Sequence, residues 1–215
     1  RYSSEDDVVF GATVSGRPAA LAGVDSIMGP FINTLPVRVR VTNDATLPSW
    51  LRELQAEQVE ARQYEYTPLA QIQGWSEVPR GQSLFGSVLV FENYPVDDSV
   101  QEAGQNLEIR DVHAVDKMNY PLALVVMPGA ELSFRMAYDT SRFDEASIAR
   151  MLSHLQNLIE EITAQPELKL SEFRLLTAEE RQQILVEWND TRLAPSTVAD
   201  SAVGLFEAHV ARSPY

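Results

Sequence analysis

Residues 28–38, with the sequence MGPFINTLPVR, constrain the fold more than any other stretch of the chain. A Gly-Pro pair opens the stretch, the amide side chain of Asn33 lies between Ile32 and Thr34, and Pro36 interrupts the apolar run. After Pro36, valines alternate with arginine and threonine up to residue 42, as in a strand with one buried face. Proline cannot donate to a sheet ladder. The stretch therefore predicts an unusual strand that shapes a site as well as a core.

Composition limits the classes of function. The 215 residues are 45% apolar, which is enough for a folded core, and no run approaches the 18 apolar residues of a membrane helix. The absence of cysteine excludes disulfides and thiol catalysis and fits a cytoplasmic protein. A formal net charge of −14 makes nucleic acid and anionic membranes poor partners. A chain that begins with Arg1 is expected to be a piece of a longer protein.

The order of predicted elements favours an α/β or α+β fold with helices packed on a mixed sheet. The two first strands are expected at 8–14 and 31–41, and the pattern leaves their relative direction open. An amphipathic helix over 47–64 and a short helix within 68–75 follow. The next strand covers 84–95, and its run at 88–91 is expected to be buried on both faces. Two or three further strands are predicted at 107–115, 120–127 and 131–138.

The strongest helix signal lies at 144–163, where apolar residues recur at spacings of three and four. Asp144 is the expected N-cap. This stripe must pack on the sheet, since burying each of its large side chains is worth about 1.5 to 3 kcal/mol. Further helices are predicted at 177–188, opened by a capping box at Thr177, and at 199–212.

The sequence contains no complete catalytic constellation. Its histidines, His113, His154 and His209, follow no ligand spacing, and His154 is expected to pack beside the apolar stripe. Phosphate-binding loops, dinucleotide fingerprints and nucleophile elbows are absent from the sequence. We therefore predict no catalytic residue and no metal ligand in this chain.

Asn33 admits two interpretations. A buried amide needs partners for its hydrogen-bonding groups, and leaving it without them costs on the order of 1 to 3 kcal/mol. The more frequent outcome is structural, with the amide joining one backbone segment to another. The functional interpretation is that Asn33 lines a channel.

Several stretches in order resemble the C-terminal half of a condensation domain from a nonribosomal peptide synthetase. They are VVFGATVSGRP, MGPFINTLPVR, QYEYTPLAQIQGWSEV, RGQSLFGSVLVFENYP and FDEASIARMLSHLQNLIEEI. Gly29, Phe31, Asn33, Thr34 and Arg38 match fixed positions of the family's pattern, whereas Pro30 stands where the family has an aliphatic or aromatic residue. The matches at 64–69 and 80–85 are looser. LLTAEERQQILVEWNDT is similar to the linker into an adenylation domain, and VADSAVGLFEAHVARSP to that domain's first helix.

The resemblance implies a chloramphenicol-acetyltransferase-like lobe at 1–165, a linker at 166–197 and the start of an adenylation domain at 198–215. Two such lobes form the fold of the family. The family's reaction is the attack of the amine of an acceptor thioester on a donor thioester, which makes an amide. The implied partners are the N-terminal lobe, the adenylation domain, and donor and acceptor carrier proteins with phosphopantetheine-linked substrates. No directly bound cofactor is implied.

The family's catalytic motif, His-His followed by three variable residues and Asp-Gly, lies in the first lobe, and this sequence has no His-His pair. The fragment alone is therefore expected to be inactive. In the family, the donor and acceptor carrier proteins reach a shared tunnel from opposite sides. By the matched motifs, the expected wall of this tunnel consists of Ser15, Gly16, Arg17, Asn33 and Thr34. A crossover to the first lobe is expected at 76–83, or else in the acidic stretch 95–106. The alternative is an epimerisation domain or a non-catalytic, partner-recruiting domain of the same superfamily.

Overall fold

The computed structural model describes residues 2–17, 21–92, 119–191 and 202–213. Contacts between Cα atoms divide the chain into two compact units, Arg1–Leu175 and Leu176–Tyr215. The first unit contains the sheet and the long helix, and the second contains short helices. The predicted strand at 107–115 and the acidic stretch 95–106 lie outside the described residues.

A mixed sheet of five strands forms the centre of the first unit. Its strands are β1 (Asp7–Val14), β2 (Asn33–Arg40), β3 (Ser87–Phe91), β4 (Leu122–Met127) and β5 (Ser133–Tyr138). Their order across the sheet is β2-β1-β3-β4-β5. The outer pairs β1/β2 and β4/β5 are antiparallel, whereas β3 runs parallel to both β1 and β4. The sequence left the direction of the first pair open, and the structure makes it antiparallel.

The position of β2 at the edge of the sheet explains how a strand can contain a proline. Pro36 lies opposite Gly11 of β1, and β2 has β1 as its only described neighbour in the sheet. Edge strands tolerate proline because one side of their backbone needs no ladder partner. Gly11 in turn has no side chain because a Cβ atom there would overlap the ring of Phe85.

The described residues of the first unit include three helices, together with short 3₁₀ turns at Val24–Ser26 and Arg62–Tyr64. The helices are α1 (Leu47–Ala61), α2 (Leu69–Trp75) and α3 (Glu145–Ala164). α3 begins as predicted, because Asp144 accepts a hydrogen bond from the backbone N–H of Ser147 at 2.8 Å. Its apolar stripe is confirmed: Ile148 and His154 are buried, and the other stripe residues are half-buried. His154 contacts Tyr2, whose hydroxyl hydrogen-bonds to its Nδ1.

The two faces of the sheet differ. Val88, Ala123 and Val125 lie on the face that Phe85 covers, and their exposed fractions are 4%, 0% and 1%. On the opposite face, Phe91 is 55% exposed. The prediction that 88–91 is buried on both faces is therefore wrong for the end of β3, because that side of the sheet opens into a cleft.

The segment after α3 folds with the first unit. The backbone N–H of Leu47 bonds to the carbonyl of Leu168 at 3.0 Å, and that of Leu170 bonds to the carbonyl of Ala45 at 3.0 Å. Phe173 is 4% exposed. The compact unit thus extends to Leu175, ten residues past the expected end of the lobe at 165, because these backbone bonds join 168–171 to the start of α1.

The second unit contains α4 (Ala178–Gln182), which continues as a π-helical turn at Gln183–Glu187, and α5 (Ala202–Arg212). The capping box predicted at Thr177 is present. The Thr177 hydroxyl accepts from the Glu180 N–H at 3.2 Å, and the Glu180 carboxylate accepts from the Thr177 N–H at 3.0 Å.

Candidate functional site

A cleft of about 1200 Å³ opens on the face of the sheet opposite Phe85. The strand register places alternate residues of β1, β2 and β3 together on its floor. These floor residues are Phe10, Ala12, Val14, Leu35, Val37, Leu89 and Phe91. All of them are apolar, so the cleft can hold an apolar group and keep water from it.

The sides of the cleft come from two chain segments. One is the end of α1 and the turn after it, which contributes Gln58, Ala61, Arg62, Gln63, Glu65 and Tyr66. The other is the end of β1 and the chain after it, which contributes Thr13, Ser15, Arg17 and Leu21. Among the described residues, no histidine lines the cleft, whose charged side chains are Arg17, Arg62 and Glu65. The described lining thus combines an apolar floor with two guanidinium groups and one carboxylate.

Arg17, one of the expected wall residues, lines the cleft and contacts the loop at 21–31. Its Nη1 donates to the carbonyl of Val24, and also to that of Ile27 at 3.1 Å. The guanidinium carbon lies 4.3 Å from the centre of the Phe31 ring. Arginine suits such a place because its planar group donates and stacks at the same time.

Gly16 lies buried beside Arg17 and supports the same loop. Its φ is 65°, in the left-handed region that favours glycine. A Cβ atom on Gly16 would also overlap the carbonyl oxygen of Phe31. Both the backbone angle and the close approach therefore require glycine. Ser15 is exposed and lines the cleft.

Asn33 has the structural role that its sequence context allowed. Its Nδ2 donates to the carbonyls of Glu65 at 2.9 Å and Thr67 at 2.8 Å. Its Oδ1 accepts from the backbone N–H of Thr34 at 3.0 Å. The amide thus joins the start of β2 to the turn after α1. Asn33 does not line the cleft itself, but it positions Glu65, which is one of the lining residues.

Thr34 does not line the cleft, and it pairs with Thr13 in the register of β1 and β2. Of the five expected wall residues, the structure brings Ser15 and Arg17 to the cleft and leaves Gly16 and Asn33 as supports behind it. The floor residues Phe10, Leu35 and Leu89 were not predicted. The alternation of residues within each strand indicates which side chains share a face of the sheet. Only the register between the strands shows which of these side chains lie together on the floor of the cleft.

The expected crossover at 76–83 folds back on α2 and its own neighbours. The Gln73 amide donates to the carbonyl of Gln82, the Ser76 hydroxyl donates to the carbonyl of Gln73 at 2.9 Å, and the Gln82 N–H bonds to the carbonyl of Pro79 at 3.1 Å. These local bonds do not test a crossover role, which stays a prediction.

An ion pair lies at the other end of β1. Arg38 donates to both carboxylate oxygens of Asp7, with Nη2 at 2.6 Å and Nε at 2.8 Å. This hydrogen bonding, helped by the nearby charge of Arg40, lowers the pKa of Asp7 below its ordinary value. Asp7 pairs with Arg40 in the register, whereas Val14 pairs with Asn33 near the cleft. The ion pair therefore joins two strands and does not belong to the cleft.

Within the part of the chain that the structure describes, no three His, Asp or Glu side chains lie close enough together to hold a metal ion. His154 is buried in α3, His209 lies in α5, and His113 falls outside the described residues. None of the described helices combines the length and apolarity needed to cross a bilayer.

Comparison with known proteins identifies the family. The model of the condensation domain matches residues 1–185. A linear gramicidin synthase of Brevibacillus parabrevis is 51% identical over 199 residues, which cover 88% of this chain and 4% of that protein. Surfactin synthase subunit 3 of Bacillus subtilis (strain 168) is 36% identical over 199 residues, or 92% of this chain and 15% of that protein. The chain thus spans only a small part of the length of these relatives.

Solved structures agree on the fold. A holo four-domain nonribosomal peptide synthetase bound to AMP and glycine gives a TM-score of 0.70 at 18% identity, over 83% of this chain and 15% of that one. The starter condensation domain of rhizomide synthetase gives 0.61 at 19% identity, over 81% and 40%. The mixed α/β fold is therefore that of condensation domains, which is chloramphenicol-acetyltransferase-like, as the sequence predicted. On the match of the family model over residues 1–185 and the identity to peptide synthetases, this chain belongs to the condensation-domain family.

Proposed function

We propose that this chain is the C-terminal lobe of a condensation domain that joins donor and acceptor (amino)acyl groups of a nonribosomal peptide synthetase. The observation that carries the proposal is the apolar cleft beside Arg17 and the Asn33-supported turn, in a chain 51% identical to a linear gramicidin synthase. Residues 1–165 are proposed as the lobe, 166–197 as a linker, and 198–215 as the start of an adenylation domain. The protein is proposed to be cytoplasmic.

In the proposed reaction, the amine nitrogen of the acceptor attacks the carbonyl carbon of the donor thioester. A C–N bond forms, the C–S bond breaks, the amine loses a proton, and the carrier's thiol leaves. Water competes with the amine for the same carbonyl. The floor around Ala12, Leu35 and Leu89 would exclude that water and hold an apolar side chain in place.

The proton would be handled outside this chain. The sequence has no His-His pair, and no described histidine lines the cleft. We therefore propose that the N-terminal lobe supplies the His-His motif, and that this fragment alone forms no amide. Substrates would arrive on the phosphopantetheine arms of donor and acceptor carrier proteins, and an adenylation domain would follow the linker.

Filling the cleft tests the proposal. In the full-length synthetase, Ala12→Phe should reduce amide formation at least about tenfold, because its ring occupies the volume in which the reacting groups must lie. The product is measured by mass spectrometry of the loaded carrier protein. Ala149→Phe, at an exposed position of α3, is the matched control and should leave the product yield unchanged.

The outcomes separate the related functions. Amide formation that is lost in Ala12→Phe but not in Ala149→Phe supports condensation. A wild-type protein that inverts the α-carbon of a carrier-bound residue without joining two residues would be an epimerisation domain instead. A wild-type protein that does neither, yet retains a partner protein, would be a recruiting domain. Either of these last results overturns the proposal.

A further inference from the structure

The loop at 21–31 has a defined conformation at one end of the cleft. It contains the 3₁₀ turn Val24–Ser26, in which the N–H of Val24 bonds to the carbonyl of Leu21 at 3.2 Å and the N–H of Ile27 bonds to the carbonyl of Val24 at 3.2 Å. The Val24 side chain is buried, with 6% exposed, whereas Met28 is 98% exposed. The loop is thus anchored at its turn and open on its outer side.

Two adjacent residues join this loop to the end of β1. Gly16 meets the backbone of Phe31, at the far end of the loop. Arg17 reaches the turn itself, by hydrogen bonds to the carbonyls of Val24 and Ile27, and stacks on Phe31. Hydrogen bonds from a charged donor are about twice as strong as neutral ones, so the Arg17 contacts add appreciably to the attachment that the buried Val24 side chain provides.

Arg17 and Leu21 both line the cleft, beyond the point where β1 ends at Val14. Leu21 precedes the turn that Arg17 holds, and its carbonyl is part of that turn's hydrogen bonding. Any movement of the turn would therefore move Leu21 and change the length of the apolar floor that a ligand can use.

We propose that Arg17 is a positioning residue that holds the 21–31 loop as the end wall of the cleft and thereby limits the size of the apolar side chain accepted there. This inference rests on the proposed condensation function. It assigns Arg17 no contact with the reacting atoms. Its effect on the reaction passes through the position of Leu21.

The test uses the full-length synthetase with Arg17→Met and Arg17→Lys. Methionine keeps the apolar stem and removes the guanidinium, whereas lysine keeps a charge but lacks the planar fork. Alanyl, valyl and leucyl N-acetylcysteamine thioesters are offered in each of the two substrate positions. In one of the two substrate positions, Arg17→Met should change the ratio of kcat/KM for the alanyl thioester to that for the leucyl thioester about tenfold. This change should come from KM, whereas kcat should change less than about twofold. Arg17→Lys should fall between Arg17→Met and the wild type.

Hydrogen exchange provides a readout that does not need activity. Backbone amides of 21–31 should exchange at least about tenfold faster in Arg17→Met, while those of β3 and β4 stay unchanged. Arg52→Met is the matched control, because Arg52 lies exposed on α1 and its Nε bonds only to the carbonyl of Pro48 in the same helix, at 3.1 Å.

The failures are distinguishable. If the wild-type protein forms no amide, the proposed function fails. If it forms amide and Arg17→Met keeps the wild-type size preference in both positions, the inference is overturned and condensation stands. Unchanged exchange in 21–31 would also overturn it. A uniform fall in kcat for all three thioesters would assign Arg17 to the chemistry and contradict a positioning role.

Discussion

The helices α1 and α3 arise from the same kind of sequence pattern but pack differently. α3 has Ile148 and His154 buried and its remaining stripe half-buried. In α1, Leu47 is the only buried residue, while Leu51 is 46% exposed and Val59 54% exposed. An apolar stripe predicts a helix in both cases. It does not predict how much of the stripe the rest of the first unit covers.

The difference follows from where each helix lies. α3 follows β5, the last of the described strands in the order of the sheet, and contacts it. α1 is attached chiefly at its ends, through Leu47 at its start and through the turn held by Asn33 after its end. Its last turn borders the cleft, with Gln58 and Ala61 among the lining residues. Of these two helices, the less buried one, α1, thus forms a side of the candidate site.

The largest expected effect is the loss of core packing under α3. Ile148→Ala should lower the free energy of unfolding by about 2 to 5 kcal/mol, because Ile148 is 4% exposed and its truncation leaves a cavity. Leu51→Ala, which removes a side chain of similar size from α1, should cost less than about 1 kcal/mol. Denaturant unfolding monitored by circular dichroism measures both. Equal costs would show that α1 is as well packed as α3.

The next effect concerns the attachment of α1 at its end. Asn33→Ala should cost about 1 to 3 kcal/mol, because it removes both N–H donors from the carbonyls of Glu65 and Thr67, and Thr67 is only 8% exposed. Amide formation should fall as well, since Glu65 and Tyr66 line the cleft. Denaturant unfolding and the product assay check these two expectations.

Asn33→Asp tests the amide N–H donors separately from the size and shape of the side chain. It keeps an acceptor for the N–H of Thr34 but places a negative charge against two carbonyls, so it should be at least as destabilising as Asn33→Ala. A variant that unfolds and reacts as the wild type does would show that the turn after α1 is held by other contacts.

These contrasts mark what the sequence could predict. Periodicity located the described strands and helices to within a few residues, and the cap at Asp144 and the capping box at Thr177 follow from bonds between residues close in sequence. The partners of Asn33 lie more than 30 positions away, and the floor of the cleft combines residues from three strands. Such pairings depend on strand order and register, which a local pattern does not contain.

Arg17 shows the same limit within the candidate site. The family motif selected Arg17 together with Gly16, but the nature of its contacts depends on where the turn at Val24–Ser26 lies relative to β1, which a local pattern does not contain. Likewise, the apolar run in β3 indicated burial, and only the open face beside the cleft explains the exposure of Phe91.

A third prediction compares the starts of the two helices. At α3, hydrogen bonds from the hydroxyl and backbone N–H of Ser147 lower the pKa of the Asp144 carboxyl below its ordinary value of 3.8. At α1, Thr46 makes no side-chain cap to the backbone. A lowered pKa in the folded state means that Asp144 stabilises α3 above the unfolded pKa, and that this contribution is lost as the pH falls through the folded pKa.

The melting temperature measured against pH checks this expectation. Asp144→Asn should melt below the wild type at pH 7 and approach it as the pH falls below about 4, because asparagine still caps but carries no charge near the helix N-terminus. Glu53→Gln, on the exposed side of α1, corrects for the change in net charge. A difference between Asp144→Asn and the wild type that stays constant with pH would contradict the role of the ionised carboxylate.

The smallest expected effect tests whether the open side of α1 is free in the whole protein. Val59→Thr replaces a methyl group by a hydroxyl with almost no change in shape. At a side chain 54% exposed, this should change the free energy of unfolding by less than about 0.5 kcal/mol. If the other lobe or a carrier protein covers this face, the hydroxyl becomes buried and the cost rises to about 1 to 3 kcal/mol. Denaturant unfolding is measured with and without Val59→Thr, for this chain alone and for the full-length synthetase. The comparison shows whether this face of α1 is exposed or covered in the whole protein. A cost confined to the full-length protein would show that the contrast between α1 and α3 belongs to this chain alone, and that α1 is covered in the larger protein.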